Sequence, residues 1–361
     1  MDKGAARNNA LDGLRAYAAA LVVASHVGVL HQGGLANNIF FALSGFLAAM
    51  PFREGGERRF LSVRYIGNYY LGRFLRIFPV FWVVISLVYF ITGRFFTSMT
   101  DFIRNAFFVE SYGHLWFLQQ QVLMYACLPM IMICLSGIKY LTRKLKNAEA
   151  EGDLICALFL AILSCFCNRY LTSSVFYLYG NNAHQRFHIH LFLIGMSAAY
   201  FYRGLGYFRV KLLETKGALL LADFLSGFLI LGCILSSKSV LRHMDASLGD
   251  YLIGWRQPVL CAVLTCCEII LLLLNPGGFT SRFLGCKLLS KIGEVSFTIY
   301  LVHFFLISYT KVGNPYKHFV FLFGLSVCIA WVLHILVEKP SVIFAKTKSF
   351  NKVKQYFEEL S

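Results

Sequence analysis

Charge is what this 361-residue chain lacks most: 14% of its residues are charged, against 58% hydrophobic. Soluble domains carry charge on about a quarter of their residues, so a water-soluble globule is excluded. Acidic residues are scarcest, 18 against 34 basic ones. There is no internal repeat, no low-complexity tract and no stretch with the composition of a soluble domain. No Walker loop, G-x-G-x-x-G loop, H-E-x-x-H or G-x-S-x-G elbow occurs, which removes nucleotide hydrolases, zinc proteases and α/β-hydrolases. The first apolar run is not followed by a small-residue cleavage site and reads as a retained span. The 11 cysteines show neither metal-ligand spacing nor an extracellular pairing pattern. They read as small apolar packers, with no metal expected. The net charge of +16 does not call for nucleic acid, because cytoplasmic loops of membrane proteins collect lysine and arginine.

What is present is a series of apolar runs near the length that crosses a bilayer. The chain reads as an all-α polytopic integral membrane protein of about ten transmembrane helices. The spans fall near 12–31, 36–51, 75–92, 114–137, 154–171, 187–202, 217–236, 255–275, 294–311 and 318–337. With the N-terminus inside, Lys3, Arg7, Arg15, Arg53, Arg58, Arg59, Arg64, Arg73 and Arg76 are cytoplasmic. So are the 139–146 cluster, the 203–216 and 282–291 loops and the C-terminal tail. Of the 34 basic residues, 25 then lie inside and 9 outside, which sets both termini in the cytoplasm. Residues 1–345 read as one membrane domain and 346–361 as a short basic tail. The expected location is the inner or plasma membrane, with multiple passes.

Residues 11–26 carry the first polar constellation. Arg15 opens the run and His26 lies inside it. Eleven residues at 3.6 per turn return both side chains to one helix face, about 16 Å apart along the axis. A charged and a titratable group on one membrane stripe are costly unless the stripe faces protein or water.

Leu11-Asp12-Gly13-Leu14-Arg15, ten residues and then His26 resemble the Arg-x10-His signature of the membrane acyltransferase-3 family. Four further stretches follow in the family's order. They are Phe40-Phe41-Ala42-Leu43-Ser44-Gly45, Arg73-Phe74-Leu75-Arg76, His114-Leu115-Trp116-Phe117-Leu118 and Ser296-Phe297-Thr298-Ile299-Tyr300-Leu301-Val302-His303. Val337-Glu338-Lys339-Pro340 ends the last span as family members often do. The resemblance implies an acyl-CoA-dependent O-acyltransferase, with an essential catalytic role for His26 and a donor-binding role for Arg73 and Arg76. In one respect the chain departs from the family. Many members carry a glutamate pair after the tryptophan, where this chain has Gln119-Gln120-Gln121, and glutamine cannot serve as a base.

A neutral imidazole is the commonest group for taking a proton from a hydroxyl that attacks a thioester. His26 therefore reads either as general base or as transient acyl carrier, against a hydrogen-bonded histidine with no chemical role. Arg15 either serves the donor or orients the inner end of the site. Arg73 and Arg76 are neighbours at i, i+3. They either anchor the helix on lipid phosphates or grip the phosphates of acyl-CoA with their guanidinium forks. His114 and Trp116 are belt anchors or acceptor-binding groups. Gln121, Tyr125, Tyr300 and His303 are the remaining candidates for contact with the acceptor, and Glu338 is expected to pair with a lysine or arginine. Ser44 beside Gly45 marks close helix packing rather than catalysis.

The expected reaction moves an acyl group, most simply acetyl, from cytoplasmic acyl-CoA to a hydroxyl of a carbohydrate or lipid-linked glycan. A rival class is a transporter or permease with an intramembrane His/Arg pathway. Duplicated halves and matching broken helices, the marks of many transporters, are missing.

Overall fold

A computed structural model gives the fold and describes residues 8–30, 34–52, 55–93, 95–96, 98–146, 149–171, 187–207, 215–235, 247, 256–310 and 312–345. Among these residues every regular element is helical and no strand occurs. Helices α1 (Asn9–His26) and α2 (Gly34–Ala49) come first, followed by a 3-10 turn, Gly56–Leu61. Next come α3 (Val63–Leu87), α4 (Met99–Ala106), α5 (Trp116–Lys146), α6 (Glu149–Tyr170), α7 (Ile189–Tyr207) and α8 (Lys216–Leu235). The last five are α9 (Arg256–Leu274), α10 (Phe279–Leu284), α11 (Lys287–Glu294), α12 (Ser296–Ile307) and α13 (Pro315–Leu333).

Each of the ten expected segments contains a helix, but six helices among the described residues are long and apolar enough to cross a membrane by themselves. They are Val63–Thr92, Gly113–Lys144, Ala150–Tyr170, Lys216–Leu235, Arg256–Leu274 and Pro315–Ala345. The expected ninth span is instead a bent pair, α11 and α12, which makes a seventh crossing if it counts as one span. The 12 residues of α12 rise about 18 Å, short of a bilayer core. Helix α2 is apolar but, at 16 residues, too short to cross a membrane by itself. Helices α1 and α7 are less apolar for a physical reason: they are largely buried among other helices, so nothing forces them to be apolar all round.

Several boundaries differ from the sequence expectation. Helix α1 stops at His26, where Val27 leaves helical geometry and Gly28 has φ +83°. The third span begins at Val63 rather than 75, because Ser62 caps it with its hydroxyl accepting from Tyr65 N at 3.4 Å. The fourth continues to Lys146. The last does not end at Pro340 but runs on to Ala345. Proline offers no N–H and crowds the carbonyl four residues back. The chain accommodates this with a π turn at His334–Glu338 just before it. Lys3, Arg7, Arg53, the 208–214 part of the 203–216 loop, residues 236, 255 and 311, and the tail 346–361 lie outside the described residues.

The chain divides into two compact units, residues 1–57 with 134–294 and residues 58–133 with 295–361. In the first, small residues let helices touch backbone to backbone. A Cβ on Gly45 of α2 would overlap the carbonyl of Phe192, and one on Gly195 of α7 the carbonyl of Ala42. A Cβ on Gly13 would strike Leu284, and one on Gly293 of α11 would strike the carbonyl of Asp12. These are the close approaches that small residues permit between membrane helices. In the second unit the core forms from Ile77, Val80, Phe81, Val84 and Ile85 of α3 with Leu115, Leu118, Leu301, Val302 and Phe305.

Candidate active site

Asn8 starts α1 by accepting from Ala10 N with its side-chain oxygen, 3.0 Å. One turn on, Arg15 donates from NH1 to Asp12 Oδ1 at 3.0 Å, an i, i+3 ion pair. Asp12 is buried and Arg15 partly exposed, so the pair fixes the guanidinium at the edge of unit one. The alanines between Arg15 and His26 keep the helix slim and buried. His26 is the last residue of α1 and is exposed, rather than deep inside a span. Its Nδ1 lies 2.9 Å from Val22 O. A carbonyl only accepts, so Nδ1 donates, and the lone pair of the neutral ring then sits on Nε2. That tautomer is the one a general base needs.

In unit two, Arg73 and Arg76 lie well inside α3, a consequence of its early start. Arg73 is bracketed by aromatic rings, its guanidinium carbon 4.5 Å from the Tyr125 centroid and 5.4 Å from that of Tyr69. Tyr69 OH donates to Tyr125 O at 3.1 Å, and Tyr70 OH to Ala126 O at 2.8 Å, tying α3 to α5. Arg76, one turn along, is exposed. The structure thus holds one guanidinium and leaves the other projecting.

His114, Tyr300 and His303 do come together. Tyr300 OH donates to His114 O at 2.7 Å, and a His114 ring nitrogen, Nε2, lies 3.1 Å from Leu301 O. His303 Nδ1 lies 2.7 Å from Tyr300 O, and the two histidine rings meet edge to face at 5.5 Å. His114 and His303 are both buried. Trp116 is half-buried and packs edge-on to Phe117, 6.3 Å between centroids. The side-chain amide of Gln121 is buried with no hydrogen bond among the described residues. Gln119 Nε2 donates to Phe108 O at 2.7 Å, and Phe108 is held at φ 57°. Glutamine there supports a left-handed loop residue. Glu338, expected to pair with lysine or arginine, instead meets His334 Nδ1 one turn back at 2.9 Å. His188 and His190 lie 5.8 Å between ring centroids, since His188 precedes the first turn of α7.

Two groups escaped the sequence reading. Glu57, Lys139, Asp153 and Arg203 form a buried quartet from the 3-10 turn, α5, α6 and α7. Lys139 Nζ reaches Asp153 at 3.0 Å and Glu57 at 3.6 Å, and Arg203 NH2 reaches each carboxylate at 3.3 Å. Tyr200 OH donates to Glu57 Oε1 at 2.8 Å, and Arg203 NH1 donates to the carbonyls of Ala49 and Phe52. These residues lie in separate segments, and no local spacing joins them. The second is Glu268, buried in α9 and accepting from Ser226 Oγ at 2.8 Å. A lone acid in a long apolar run was the signal for it.

The model of the acyltransferase-3 family, described as an acyltransferase domain, matches residues 8–335. The chain belongs to the acyltransferase-3 family. No curated protein and no solved structure matches it. As a member of this family it is a multi-pass membrane acyltransferase, with an acyl donor and an acyl acceptor. The matched region takes in every candidate residue from Arg15 to His303 as well as the quartet.

Proposed function

We propose that this acyltransferase-3 member moves an acyl group, most simply acetyl, from cytoplasmic acyl-CoA to a hydroxyl of a carbohydrate or lipid-linked glycan. The observation that carries the reading is the tautomer of His26, with Nδ1 engaged by the Val22 carbonyl at 2.9 Å. Nε2 then takes the acceptor's hydroxyl proton as its oxygen attacks the thioester carbon. The C–S bond breaks, and coenzyme A leaves as the thiol after its sulfur gains a proton. Arg73, braced by Tyr69 and Tyr125, and Arg76 hold the donor phosphates. Arg15 orients the inner end of α1 through Asp12. His114, Trp116, Gln121, Tyr125, Tyr300 and His303 contribute to acceptor binding.

In this reading the protein crosses the inner or plasma membrane ten times, acts as one domain over residues 1–345, and keeps both termini in the cytoplasm. The quartet supports that orientation. Glu57, Lys139 and Arg203 come from three segments that the lysine and arginine count assigns to the same side. Inside-out vesicles given labelled acetyl-CoA, with the acceptor enclosed on the opposite face, test the reaction. Label on the enclosed acceptor is expected. Label only on acceptor supplied at the cytoplasmic face refutes transfer across the membrane, and no label on either refutes the acyl-transfer reading.

A further inference from the structure

Five acidic side chains are buried among the described residues: Asp12, Glu57, Asp153, Glu268 and Glu338. Asp12 pairs with Arg15, Glu57 and Asp153 share Lys139 and Arg203, and Glu338 meets His334. Glu268 alone has no basic partner among the described residues. It is 1% exposed, its Oε1 accepts from Ser226, and its Oε2 is buried with no hydrogen bond among the described residues. A carboxyl in this situation inside a membrane helix is expensive and marks function by default.

Its helix supplies the context. Gln257, Cys261, Thr265 and Glu268 recur at i+4, i+4 and i+3, forming one buried polar stripe on α9 about 16 Å long. Thr265 Oγ1 donates to Cys261 O at 2.8 Å and lies 4.0 Å from Cys233 Sγ of α8. Cys261 Sγ donates to Leu35 O at 3.7 Å. Leu35 opens α2, directly after the connection that begins at His26. The stripe therefore leads from Glu268 to the end of unit one where α1 presents its histidine. Gln257 Nε2, at that end, is buried with no partner among the described residues. An apolar stripe serves packing as well, so packing gives no reason for this series.

We propose that Glu268 is a proton-exchanging carboxyl that serves the acyl transfer. It takes up the proton that His26 removes from the acceptor hydroxyl and releases it for the coenzyme A sulfur. This rests on the acyltransferase reading. The balance is closed: the O–H and C–S bonds break, the O–acyl and S–H bonds form, and the carboxyl ends as it began. Of the titratable groups on the helices packed around α9, Tyr17 of α1 and Asp223 and Cys233 of α8 lie close to Glu268, while α2 carries none. Tyr17 is occupied with Ile230 O at 2.9 Å, and Asp223 caps α10 through Phe279 N at 2.8 Å and Thr280 N at 2.9 Å.

The test uses full-length protein in lipid nanodiscs. Infrared difference spectra across a pH titration report the C=O band of a protonated carboxyl, whether or not acyl transfer is the reaction. A titrating band present in the native protein and missing in Glu268→Gln is expected. With acetyl-CoA and acceptor, Glu268→Gln should lower kcat by about tenfold or more with donor KM unchanged, and Glu268→Asp should restore part of it. A native protein with no band that depends on Glu268, or a Glu268→Gln variant with native kcat, overturns the proposal. If Glu268→Gln does not fold, Ser226→Ala replaces it. Removing the donor to Oε1 must then shift the band, and an unshifted band overturns the proposal. Native protein that shows the band but transfers no acyl group defeats the acyltransferase reading and, with it, the relay's role in transfer.

Discussion

Replacing Arg203 with methionine removes the most connected cation of the buried quartet. The guanidinium serves the carbonyls of Ala49 and Phe52 and both carboxylates, and it stacks on Tyr200 at 3.8 Å. Two cations now balance two anions. Without Arg203, Lys139 faces Glu57 and Asp153 alone and a net negative charge stays buried. Removing one partner from such a cluster costs about 3–5 kcal/mol. The two carbonyls at the end of α2 each lose a donor, about 1 kcal/mol apiece. Arg203→Met should therefore lower stability by about 5 kcal/mol or more, read as a fall in apparent Tm by intrinsic fluorescence in detergent micelles. Glu57→Gln placed on top restores the charge balance. The double variant should be less damaged than the sum of the single ones by roughly 1 kcal/mol or more. Arg203→Met within about 0.5 kcal/mol of the native protein, or a double variant that is simply additive, refutes the account.

Gly45→Ala and Gly195→Ala should each destabilise by about 1–3 kcal/mol, because the new methyl meets a backbone carbonyl that cannot swing away; the same unfolding assay reads it. Arg76→Ala should raise donor KM roughly tenfold while kcat stays near native, since a projecting guanidinium contributes binding rather than chemistry. His26→Ala should lower transfer by about 10²–10⁴-fold in a protein that still elutes and unfolds like the native one; a folded variant with normal transfer removes the assignment.

The sequence carried the helices and the family, but not the partners. Hydrophobic runs, the Arg-x10-His spacing and the ordered motifs were local features, so all ten helical segments were legible. Gly45 was read as a packing residue, and the carbonyl of Phe192 above it agrees. The Arg15–Asp12 pair was also within reach, because i, i+3 spacing is local. The quartet was not, since Glu57 and Arg203 meet only after α2, α5, α6 and α7 have assembled. The end of α1 was misjudged for a similar reason. Apolar residues continue past His26, and the turn at Gly28 outweighs their periodicity. Pro340 misled in the other direction, because a π turn lets the last helix absorb it.

The Gly13 and Gly293 contacts bear on how the protein is made. α1 leaves the ribosome long before two of the surfaces that receive it, Leu284 and the α11 glycine. Until then a weakly apolar helix with an ion pair and a terminal histidine must wait in the bilayer without its partner. Closing so long a loop is slow. Insertion and folding are therefore separate events here, and α1 completes its native contacts only after α10 and α11 have followed it.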